Sequence, residues 1–485
     1  MRFFRSLILF TLLWGLAGCG RSGGDPLPNI IIILADDLGY NDLSIYRQNQ
    51  TQYHSHPSTS ETPHIDRLAS EGMRFTNFYC GAAVCSPSRA ALLTGRNSTR
   101  LGIYNWIPPG QPMHLRDSEI TIAELVKQAG YRTAHFGKWH LTSQGMGQPL
   151  PMDQGYDDAF YTFNNAEPSH LDPVNFFRDG ISAGPLSGYS CQLVVDEAIS
   201  WLEDNASDQD PFYINVWFNE PHEKVAAPPE LASRHQYHKD YYGAIENMDL
   251  AVGRLLEYLK KVDLDRQTVV IFTSDNGSQV PGSNDPLRGE KAFNYEGGIR
   301  VPMIVRWPGH VKGGTVSSFP GSFTDIFPTI AAITGVPPPG KRTLDGVDLA
   351  PVLTGAAVQP SRKPPLFFFR YFHDPVCMLR QDDMVLLGYI HDPLPQMEDY
   401  DQQALANLKP EEGQPPWSMW NFQQIHMDFL KTAIPEHFEL YNITVDPHQE
   451  HDLSGRDPEQ VSQMKRLMLD LREEMIREGG DWYQE

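Results

Sequence analysis

The chain has 485 residues, of which 40% are hydrophobic and 21% are charged, with 39 glycines and 39 prolines. This composition indicates a loop-rich globular protein with room for one large core and a smaller one, and it excludes a disordered or coiled-coil chain. The formal net charge of −22 excludes the basic surface that non-specific nucleic-acid binding requires, so we expect no nucleic-acid partner. An anionic ligand would need a local basic pocket.

The N-terminus has the features of an export signal. Arg2 and Arg5 supply positive charge, and the apolar stretch 7–16 is too short to span a bilayer as a helix. These features predict an exported protein.

The end of this segment, Leu-Ala-Gly-Cys up to Cys19, resembles the lipobox of bacterial lipoproteins, in which the cysteine is acylated. The resemblance implies a lipoprotein signal peptide at 1–19, a tether at 20–28, and attachment to a membrane of the bacterial cell envelope, facing the periplasm or at the outer membrane, through a lipid on Cys19. A plain signal peptide cleaved near Gly18 or Gly20 is the alternative.

Apolar β-branched runs alternate with amphipathic stretches along most of the chain. This alternation predicts an α/β fold with a large, mostly parallel central sheet flanked by helices. The predicted strands are 29–34, 73–79, 131–136, 212–218 and 268–272, and the predicted helices are 64–72, 121–129, 242–261 and 323–334. A further helix is predicted to be capped by Ser86, with Pro87 as its first residue and Gly95 at its end.

Composition changes to proline-rich around 351–365, which predicts a hinge between two units. We expect a main domain at 29–360 and a smaller C-terminal α+β subdomain at 361–485. The subdomain is predicted to contain strands near 366–371 and 384–389, a polar segment to about 420, and a helix at 458–477 capped by Asp457.

Two of the predicted strands end in acidic clusters. Asp36 and Asp37 follow the first strand, and Asp275 and Asn276 follow the strand at 268–272. Ligands of open α/β sheets bind beyond the carboxyl ends of the strands, so we expect these side chains to converge. Three carboxylates and an amide oxygen suit a hard cation, either Ca²⁺ or Mg²⁺. One such cluster alone would more often be a helix cap or a turn.

Residues 85–96 read C-S-P-S-R-A-A-L-L-T-G-R. A lone C-x-P-x-R sequence is more often a buried cysteine before a helix, but here other blocks accompany it in a fixed order. They are Asp36-Asp37, Gly137-Lys138-Trp139-His140, Pro221-His222, Ser274-Asp275-Asn276-Gly277, Lys291 ahead of Glu296-Gly297-Gly298, and Arg300-Val301-Pro302. Together they resemble the type I, formylglycine-dependent sulfatases, in the branch of arylsulfatase A and N-acetylgalactosamine sulfatases, over about 28–355 and again at 439–447.

This resemblance implies an alkaline-phosphatase-like sandwich that hydrolyses sulfate esters. It implies that a maturation enzyme oxidises Cys85 to Cα-formylglycine, whose hydrate carries two hydroxyls on one carbon. One hydroxyl would attack sulfur, and the other would later expel the sulfate. The metal, Ca²⁺ by resemblance with Mg²⁺ also open, would be held by Asp36, Asp37, Asp275, Asn276 and the formylglycine at 85.

The resemblance also implies roles for five further side chains. Arg89 would orient the nucleophile, and Lys138 and Lys291 would bind sulfate oxygens as point charges. His222 would protonate the leaving sugar oxygen, and His140 would act as the base that expels sulfate.

Three cysteines have no implied function, namely Cys80, Cys191 and Cys377. They allow at most one disulfide, and the sequence leaves the pairing, if any, open.

The branch implies a sulfated carbohydrate substrate, with exo-acting removal of sulfate from galactose or N-acetylgalactosamine of a polysaccharide. Asn219 stands where many relatives carry a histidine, which puts the substrate rather than the chemistry in doubt. Candidate sugar contacts, which could equally be ordinary loop and core residues, are Tyr104, Trp106 and the 164–175 loop with His170.

Two other functions are compatible with parts of the pattern. The same scaffold could hydrolyse phosphonate or phosphate esters, although single-metal ligation and paired lysines favour sulfate. Alternatively, the chain could be a non-catalytic, lipid-anchored carbohydrate-binding protein whose Cys85 is never oxidised. The joint presence of all the site residues argues against this last reading, because a binding protein has no need of them together.

Overall fold

The structure is a computed structural model that describes residues 26–47, 58–206, 210–279, 281–356, 362–371, 374–390, 424–432 and 434–484. The predicted signal peptide, Cys19, most of the tether and most of the predicted polar segment lie outside the described residues. Within the described part of the chain, no helix is both long and apolar enough to cross a membrane.

The strands and helices are numbered in chain order. The strands are β1 (Asn29–Asp36), β2 (Met73–Phe75), β3 (Phe78–Tyr79), β4 (Arg132–Lys138), β5 (Asp158–Thr162), β6 (Phe177–Arg178), β7 (Ile181–Ser182), β8 (Phe212–Pro221), β9 (Thr268–Ser274), β10 (Met303–Arg306), β11 (Thr315–Ser317), β12 (Gly321–Ser322), β13 (Leu366–Phe369), β14 (Cys377–Gln381), β15 (Met384–Tyr389) and β16 (His437–Asn442). The helices are α1 (Pro63–Glu71), α2 (Cys85–Thr94), α3 (Ile122–Lys127), α4 (Ser190–Asn205), α5 (Pro229–Ala232), α6 (Lys239–Lys261), α7 (Glu296–Ile299), α8 (Ile326–Thr334), α9 (Ala350–Leu353), α10 (Gln424–Thr432) and α11 (Pro458–Gly479).

Ten strands form one mixed, mostly parallel sheet in the order β11-β2-β10-β9-β1-β8-β4-β5-β6-β7. Strand β1 lies in its middle and pairs in parallel with both β8 and β9. Its residues are buried on both faces, with Ile30 and Ile32 in one apolar layer and Ile31 and Ile33 in the other. Helices cover both layers, with α2, α3 and α8 on one side and α1, α4 and α6 on the other. The predicted α/β sandwich is confirmed.

The helix predicted to begin at Ser86 begins instead at Cys85. Val84 precedes it in an extended conformation, so Pro87 is the third helical residue and the Ser86 hydroxyl accepts a hydrogen bond from the Ile107 amide. The cap prediction for Ser86 was wrong because its side chain is already inside the first turn. The end of the helix at Gly95, with φ of 69°, agrees with the prediction.

The C-terminal part forms a second, antiparallel sheet in the order β13-β14-β15-β16, with α11 against it. Asp457 caps α11 by accepting a hydrogen bond from the Gln460 amide, as predicted. Leu386 and Leu440 of this sheet belong to the same buried cluster as Leu92 of α2. The C-terminal sheet therefore shares a buried cluster with one face of the main sheet.

Candidate active site

The site is built where β1 and β9 end side by side. Because these strands are parallel and pair through Ala35 and Ser274, the residues that follow them meet at one edge of the sheet. The Asp37 amide donates to Asp275 Oδ1 at 3.1 Å. Asp36 and Asp275 are fully buried. The predicted convergence of the two acidic clusters is therefore present in the fold.

Asp37 and Asn276 complete the oxygen cluster. Asp37 has a left-handed backbone with φ of 60°, which is uncommon for a residue other than glycine and frequent at functional sites. Asn276 Nδ2 donates to Asp37 Oδ1 at 2.7 Å. Asn276 Oδ1 is buried without a hydrogen-bond partner in the described structure. An orphaned amide oxygen beside three carboxylates is the donor set of a hard cation, so these residues fit the predicted Ca²⁺ or Mg²⁺.

Cys85 is the first residue of α2, and its side chain points at this cluster. Its Sγ lies 3.6 Å from Asp36 Oδ1 and 4.0 Å from Asp37 Oδ1. Burial raises the pKa of the thiol well above its usual range. The sulfur lies at the positive end of a ten-residue helix, so the helix favours an anionic group at this position.

Arg89 is fully buried and binds the carboxylates rather than the side chain of residue 85. Its Nε and Nη2 donate to Asp275 Oδ2 at 2.9 and 2.7 Å, and Nη2 lies 3.3 Å from Asp36 Oδ1. Its guanidinium also lies over the ring of Trp217, 5.3 Å from the centroid. Its Nη1 donates to the Lys138 carbonyl at 2.8 Å, so Arg89 contacts both the acidic cluster and the end of β4.

Two lysines bind different carboxylates of the cluster. Lys138 Nζ, at the end of β4, donates to Asp36 Oδ2 at 2.6 Å and lies 3.8 Å from Cys85 Sγ. Lys291 Nζ donates to Asp37 Oδ2 at 2.5 Å. Burial opposes the charge of Lys291, but Asp37, Cys85 and Asp36 together outweigh it and raise the pKa of this lysine.

Glycine before Lys138 is required by the backbone. Gly137 has φ of 105°, and a Cβ on it would lie 1.7 Å from the Trp217 carbonyl oxygen. Any side chain here would therefore separate β4 from β8 and displace Lys138.

His222 follows β8 and contacts both Lys291 and Asp37. Its Nδ1 donates to the Glu223 carbonyl at 2.7 Å, while Nε2 lies 3.0 Å from Lys291 Nζ and 3.3 Å from Asp37 Oδ2. Burial, followed by the charge of Lys291, lowers the pKa of His222.

His140 is almost fully buried and has a left-handed backbone, with φ of 53°. Its Nε2 donates to the Ile107 carbonyl at 3.2 Å, which leaves Nδ1 as the acceptor nitrogen. Nδ1 has no hydrogen-bond partner in the described structure. Burial, followed by the charges of Lys138 and Arg89, lowers the pKa of His140, so the ring is neutral and can accept a proton at Nδ1.

The site contains equal numbers of carboxylates and cationic side chains, which form ion pairs. Three carboxylates face the cations of Arg89, Lys138 and Lys291. Burial alone would raise the pKa of Asp36, but Lys138 and the other cations outweigh it and hold that pKa well below its usual range. Burial and the charge of Asp36 raise the pKa of Asp275 to about 7. A divalent cation would make the site net positive and so suited to an anionic substrate.

A cavity of about 340 Å³ opens onto this cluster. Of the sugar-contact candidates, Trp106 and the start of the 164–175 loop line it. Tyr104 and His170 lie elsewhere, because the Tyr104 hydroxyl donates to the Gly480 carbonyl and His170 is buried beside Glu220. Predicted site residues lining the cavity are Cys85, His140, His222 and Lys291.

Three contacts were not apparent from the motifs. Asn165 accepts a hydrogen bond from Lys138 Nζ at 2.9 Å, Trp217 lies under Arg89, and Arg370 of the C-terminal sheet lines the cavity. Asn165 lies in the 164–175 loop, which was predicted to contact a sugar. The sequence therefore placed Asn165 near the site but did not predict its hydrogen bond with Lys138. Trp217 and Arg370 lie in no matched block. Cys80, Cys191 and Cys377 are separate buried thiols, so no disulfide joins them.

Comparison with known proteins adds three findings. The sulfatase family model matches residues 28–336. Human N-acetylgalactosamine-6-sulfatase is 34% identical over 386 residues, which are 73% of this chain and 70% of that protein. Human arylsulfatase A is 35% identical over 381 residues, which are 72% of each chain. The crystal structure of Ps i-CgsB in complex with k-i-k-neocarrahexaose has a TM-score of 0.74 at 25% identity and covers 92% of this chain and 93% of that chain.

Proposed function

The chain belongs to the sulfatase family and is a sulfuric ester hydrolase, and from this premise we propose that it removes sulfate from galactose or N-acetylgalactosamine at the end of a polysaccharide. Similarity to an N-acetylgalactosamine-6-sulfatase supports the choice of sugar. Similarity to a sulfatase-like structure that holds a neocarrahexaose supports a carbohydrate substrate.

The position of Cys85 carries this proposal. It begins a buried helix, next to two carboxylates of a cation site and 3.8 Å from Lys138 Nζ. We propose that a maturation enzyme converts Cys85 to Cα-formylglycine, which supplies a hydroxyl nucleophile when hydrated. Asp36, Asp37, Asp275 and Asn276 would hold Ca²⁺, which would supply positive charge to the sulfate oxygens.

The chain's own cations would bind the sulfate group. Lys291 lines the cavity, and Lys138 lies beside residue 85, so an anion placed over that residue would be within reach of both. Arg89 would act by fixing Asp275 and Asp36, which keeps the cation site in place. Trp106 on the cavity wall offers an aromatic face for a sugar ring.

Two histidines would move the protons. His222 lines the cavity, and because its Nδ1 donates to the Glu223 carbonyl, the neutral ring accepts at Nε2 from Lys291 Nζ. To act as the acid, His222 would take up a proton at Nε2 and pass it to the leaving sugar oxygen. His140 would accept a proton at Nδ1, since its other nitrogen is already donating to Ile107. The two rings thus have opposite tasks, acid for His222 and base for His140.

The size of the cavity favours exo action. About 340 Å³ lies at the lower end of the roughly 300–1,000 Å³ found for small-molecule sites, so a terminal sugar suits it better than a polymer segment. We also propose that the protein is exported and anchored in the cell envelope by a lipid on Cys19.

The test is turnover by protein produced with a formylglycine-generating enzyme and Ca²⁺. Substrates are 4-nitrophenyl sulfate, 4-nitrophenyl phosphate, and the 3-, 4- and 6-sulfates of galactose, N-acetylgalactosamine and N-acetylglucosamine. We expect release of sulfate from one galacto-configured isomer and little turnover of the phosphate. Cys85→Ala should abolish turnover without unfolding, whereas Cys80→Ala, which removes another buried thiol, should remain active. An active Cys85→Ala protein, or preferred turnover of the phosphate, would refute the proposal.

A further inference from the structure

Ser86 and His140 are connected through one residue, Ile107. Ser86 Oγ accepts a hydrogen bond from the Ile107 amide at 3.0 Å, and the Ile107 carbonyl accepts one from His140 Nε2 at 3.2 Å. All three residues are buried. The proposed base is therefore joined to the residue that follows Cys85 in the first turn of α2.

Two neighbouring residues of α2 thus contact different parts of the site. Cys85 Sγ lies 3.6 Å from Asp36 Oδ1, whereas Ser86 Oγ binds the segment 106–109 through Ile107. Successive side chains of an α-helix are about 100° apart around its axis, so adjacent residues can face different groups. The first turn of one helix therefore holds both the residue that would be oxidised and the segment that binds the base.

The direction of the Ile107 carbonyl is restricted on both sides. Pro108 follows it, and a residue before proline is confined mostly to extended backbone. The Pro108 carbonyl accepts a hydrogen bond from Ser143 Oγ at 2.5 Å, which holds the next peptide in place. Ser86 holds the preceding amide. The carbonyl between these two contacts therefore has little freedom to turn away from His140.

The Ile107 carbonyl determines which nitrogen of His140 carries the proton. A carbonyl oxygen can only accept, so Nε2 of the neutral ring is protonated and Nδ1 keeps its lone pair. Nδ1 is buried without a hydrogen-bond partner in the described structure, and His140 lines the cavity together with Cys85. The opposite tautomer would carry its proton on Nδ1 and could not accept another there.

We propose that Ser86 is a positioning residue for the base His140, because by holding Ile107 it keeps His140 in the tautomer that accepts a proton at Nδ1. This inference rests on the proposed function, in which His140 takes up a proton in the step that frees sulfate. It gives Ser86 a task in turnover that is separate from the oxidation of Cys85.

A purely structural role for Ser86 is the competing explanation. The segment 106–109 also carries Trp106, which lines the cavity and whose ring centroid lies 6.2 Å from that of His140. Loss of the Ser86 contact could therefore loosen the cavity wall as a whole. A loosened wall would slow every step alike, whereas loss of the His140 tautomer slows only the step in which the base acts.

The first experiment determines the tautomer without any turnover. The Ca²⁺-loaded protein that retains the Cys85 thiol is labelled with ¹⁵N in its histidines. The imidazole nitrogen shifts are recorded near pH 8, where the His140 ring, whose pKa is lowered by burial, is neutral. His140→Gln identifies the signals of this ring.

Three variants are compared with the wild-type protein. Ser86→Ala removes the hydroxyl, and Ser86→Thr keeps it. Thr94→Val is the matched control, because it removes another buried hydroxyl of the same helix, whose bonds go to Ala90 and Arg96 instead.

Wild-type protein and Thr94→Val should show one neutral tautomer of His140, with the proton on Nε2. Ser86→Ala should show a mixture that includes the form protonated at Nδ1, and Ser86→Thr should show the wild-type tautomer again. A proton on Nδ1 in the wild-type protein, or an unchanged tautomer in Ser86→Ala, would overturn the inference. If Ser86→Ala does not fold, Ser86→Cys replaces it, because a thiol is a weak acceptor.

The second experiment separates the steps of turnover. It follows release of 4-nitrophenol from 4-nitrophenyl sulfate before and during the steady state, with rates normalised to the amount of formylglycine found by mass analysis. In Ser86→Ala the first equivalent of 4-nitrophenol should appear at the wild-type rate. Steady turnover should then be about 3- to 10-fold slower, the effect of one lost neutral hydrogen bond. An equal fall of both phases would show a structural role and overturn the inference.

The two experiments also separate this inference from the proposed function. Absence of turnover in wild-type protein with formylglycine confirmed at position 85 defeats the proposed function, and the tautomer measured in the Cys85 protein does not depend on that result. Normal turnover with an unchanged His140 tautomer in Ser86→Ala defeats this inference alone.

Discussion

Arg89 and Asp275 form a buried ion pair in which two nitrogens of the guanidinium donate to one carboxylate oxygen, at 2.9 and 2.7 Å. Both side chains are fully excluded from solvent. The pair joins helix α2, which carries Cys85, to the end of β9, which is followed by two of the four proposed cation ligands, Asp275 and Asn276. The position of Cys85 relative to the proposed cation ligands therefore depends on a contact between residues distant in sequence.

Removal of both partners should cost less stability than the two single removals added together. Arg89→Met leaves Asp275 as an uncompensated buried charge, and we expect it to lower the free energy of unfolding by about 3–5 kcal/mol. Arg89→Met combined with Asp275→Asn should be less unstable than the sum of the two single changes. Denaturant unfolding of the four proteins without added Ca²⁺ measures this coupling. Strictly additive losses would show that the pair contributes no interaction of its own.

Calcium should stabilise the protein through the predicted ligands. A cation present at 100 times its Kd would add about 2.7 kcal/mol to the free energy of unfolding. Asp37→Asn should lose most of this gain, because it removes one carboxylate of the cluster while asparagine tolerates the left-handed backbone at φ of 60°. Thermal and denaturant unfolding with Ca²⁺, Mg²⁺ or a chelator measures the effect and ranks the two metals.

A second group of possible ligands provides the control for this prediction. Asp446, Glu450 and His451 also lie close enough together to hold an ion, at the surface near β16. Glu450→Gln should keep the full Ca²⁺ response and full turnover. If Glu450→Gln loses the response while Asp37→Asn keeps it, the stabilising ion is bound at the surface and the assignment of the buried cluster is wrong.

Much of the site follows from strand direction alone. Asp36 and Asp275 could be brought together from the sequence because both follow apolar strands, and parallel neighbours end at the same edge. The ion pair between Arg89 and Asp275 could not, since no single block of the sequence gives the contact between α2 and the end of β9. A motif gives the order of residues, whereas the contacts between distant blocks depend on packing that a short motif does not contain.

The same limit applies to the substrate side of the cavity. Trp106 lines the cavity but its neighbour Tyr104 does not, because the Tyr104 hydroxyl is used by the Gly480 carbonyl. Arg370 follows an ordinary apolar strand of the C-terminal sheet, and only the packing of that sheet on the main one places it in the cavity. Local helix geometry misled the prediction at Ser86, where the preceding Val84 takes the capping position.

His135 should make the protein sensitive to acid. It is fully buried among Trp139, Trp217 and Tyr156, and burial, followed by the charge of Arg89, lowers its pKa to about 3. The unfolded chain binds a proton at this residue below about pH 6.5, but the folded protein does not until about pH 3. Between these values the free energy of unfolding should therefore fall by about 1.4 kcal/mol for each unit of decreasing pH, from this residue alone. His135→Phe, which keeps an aromatic ring among the tryptophans, should reduce that slope by close to one proton while leaving it unchanged near pH 8. Denaturant unfolding at a series of pH values measures the slope, and identical slopes in the two proteins would mean that His135 is protonated as readily in the folded state as in the unfolded chain.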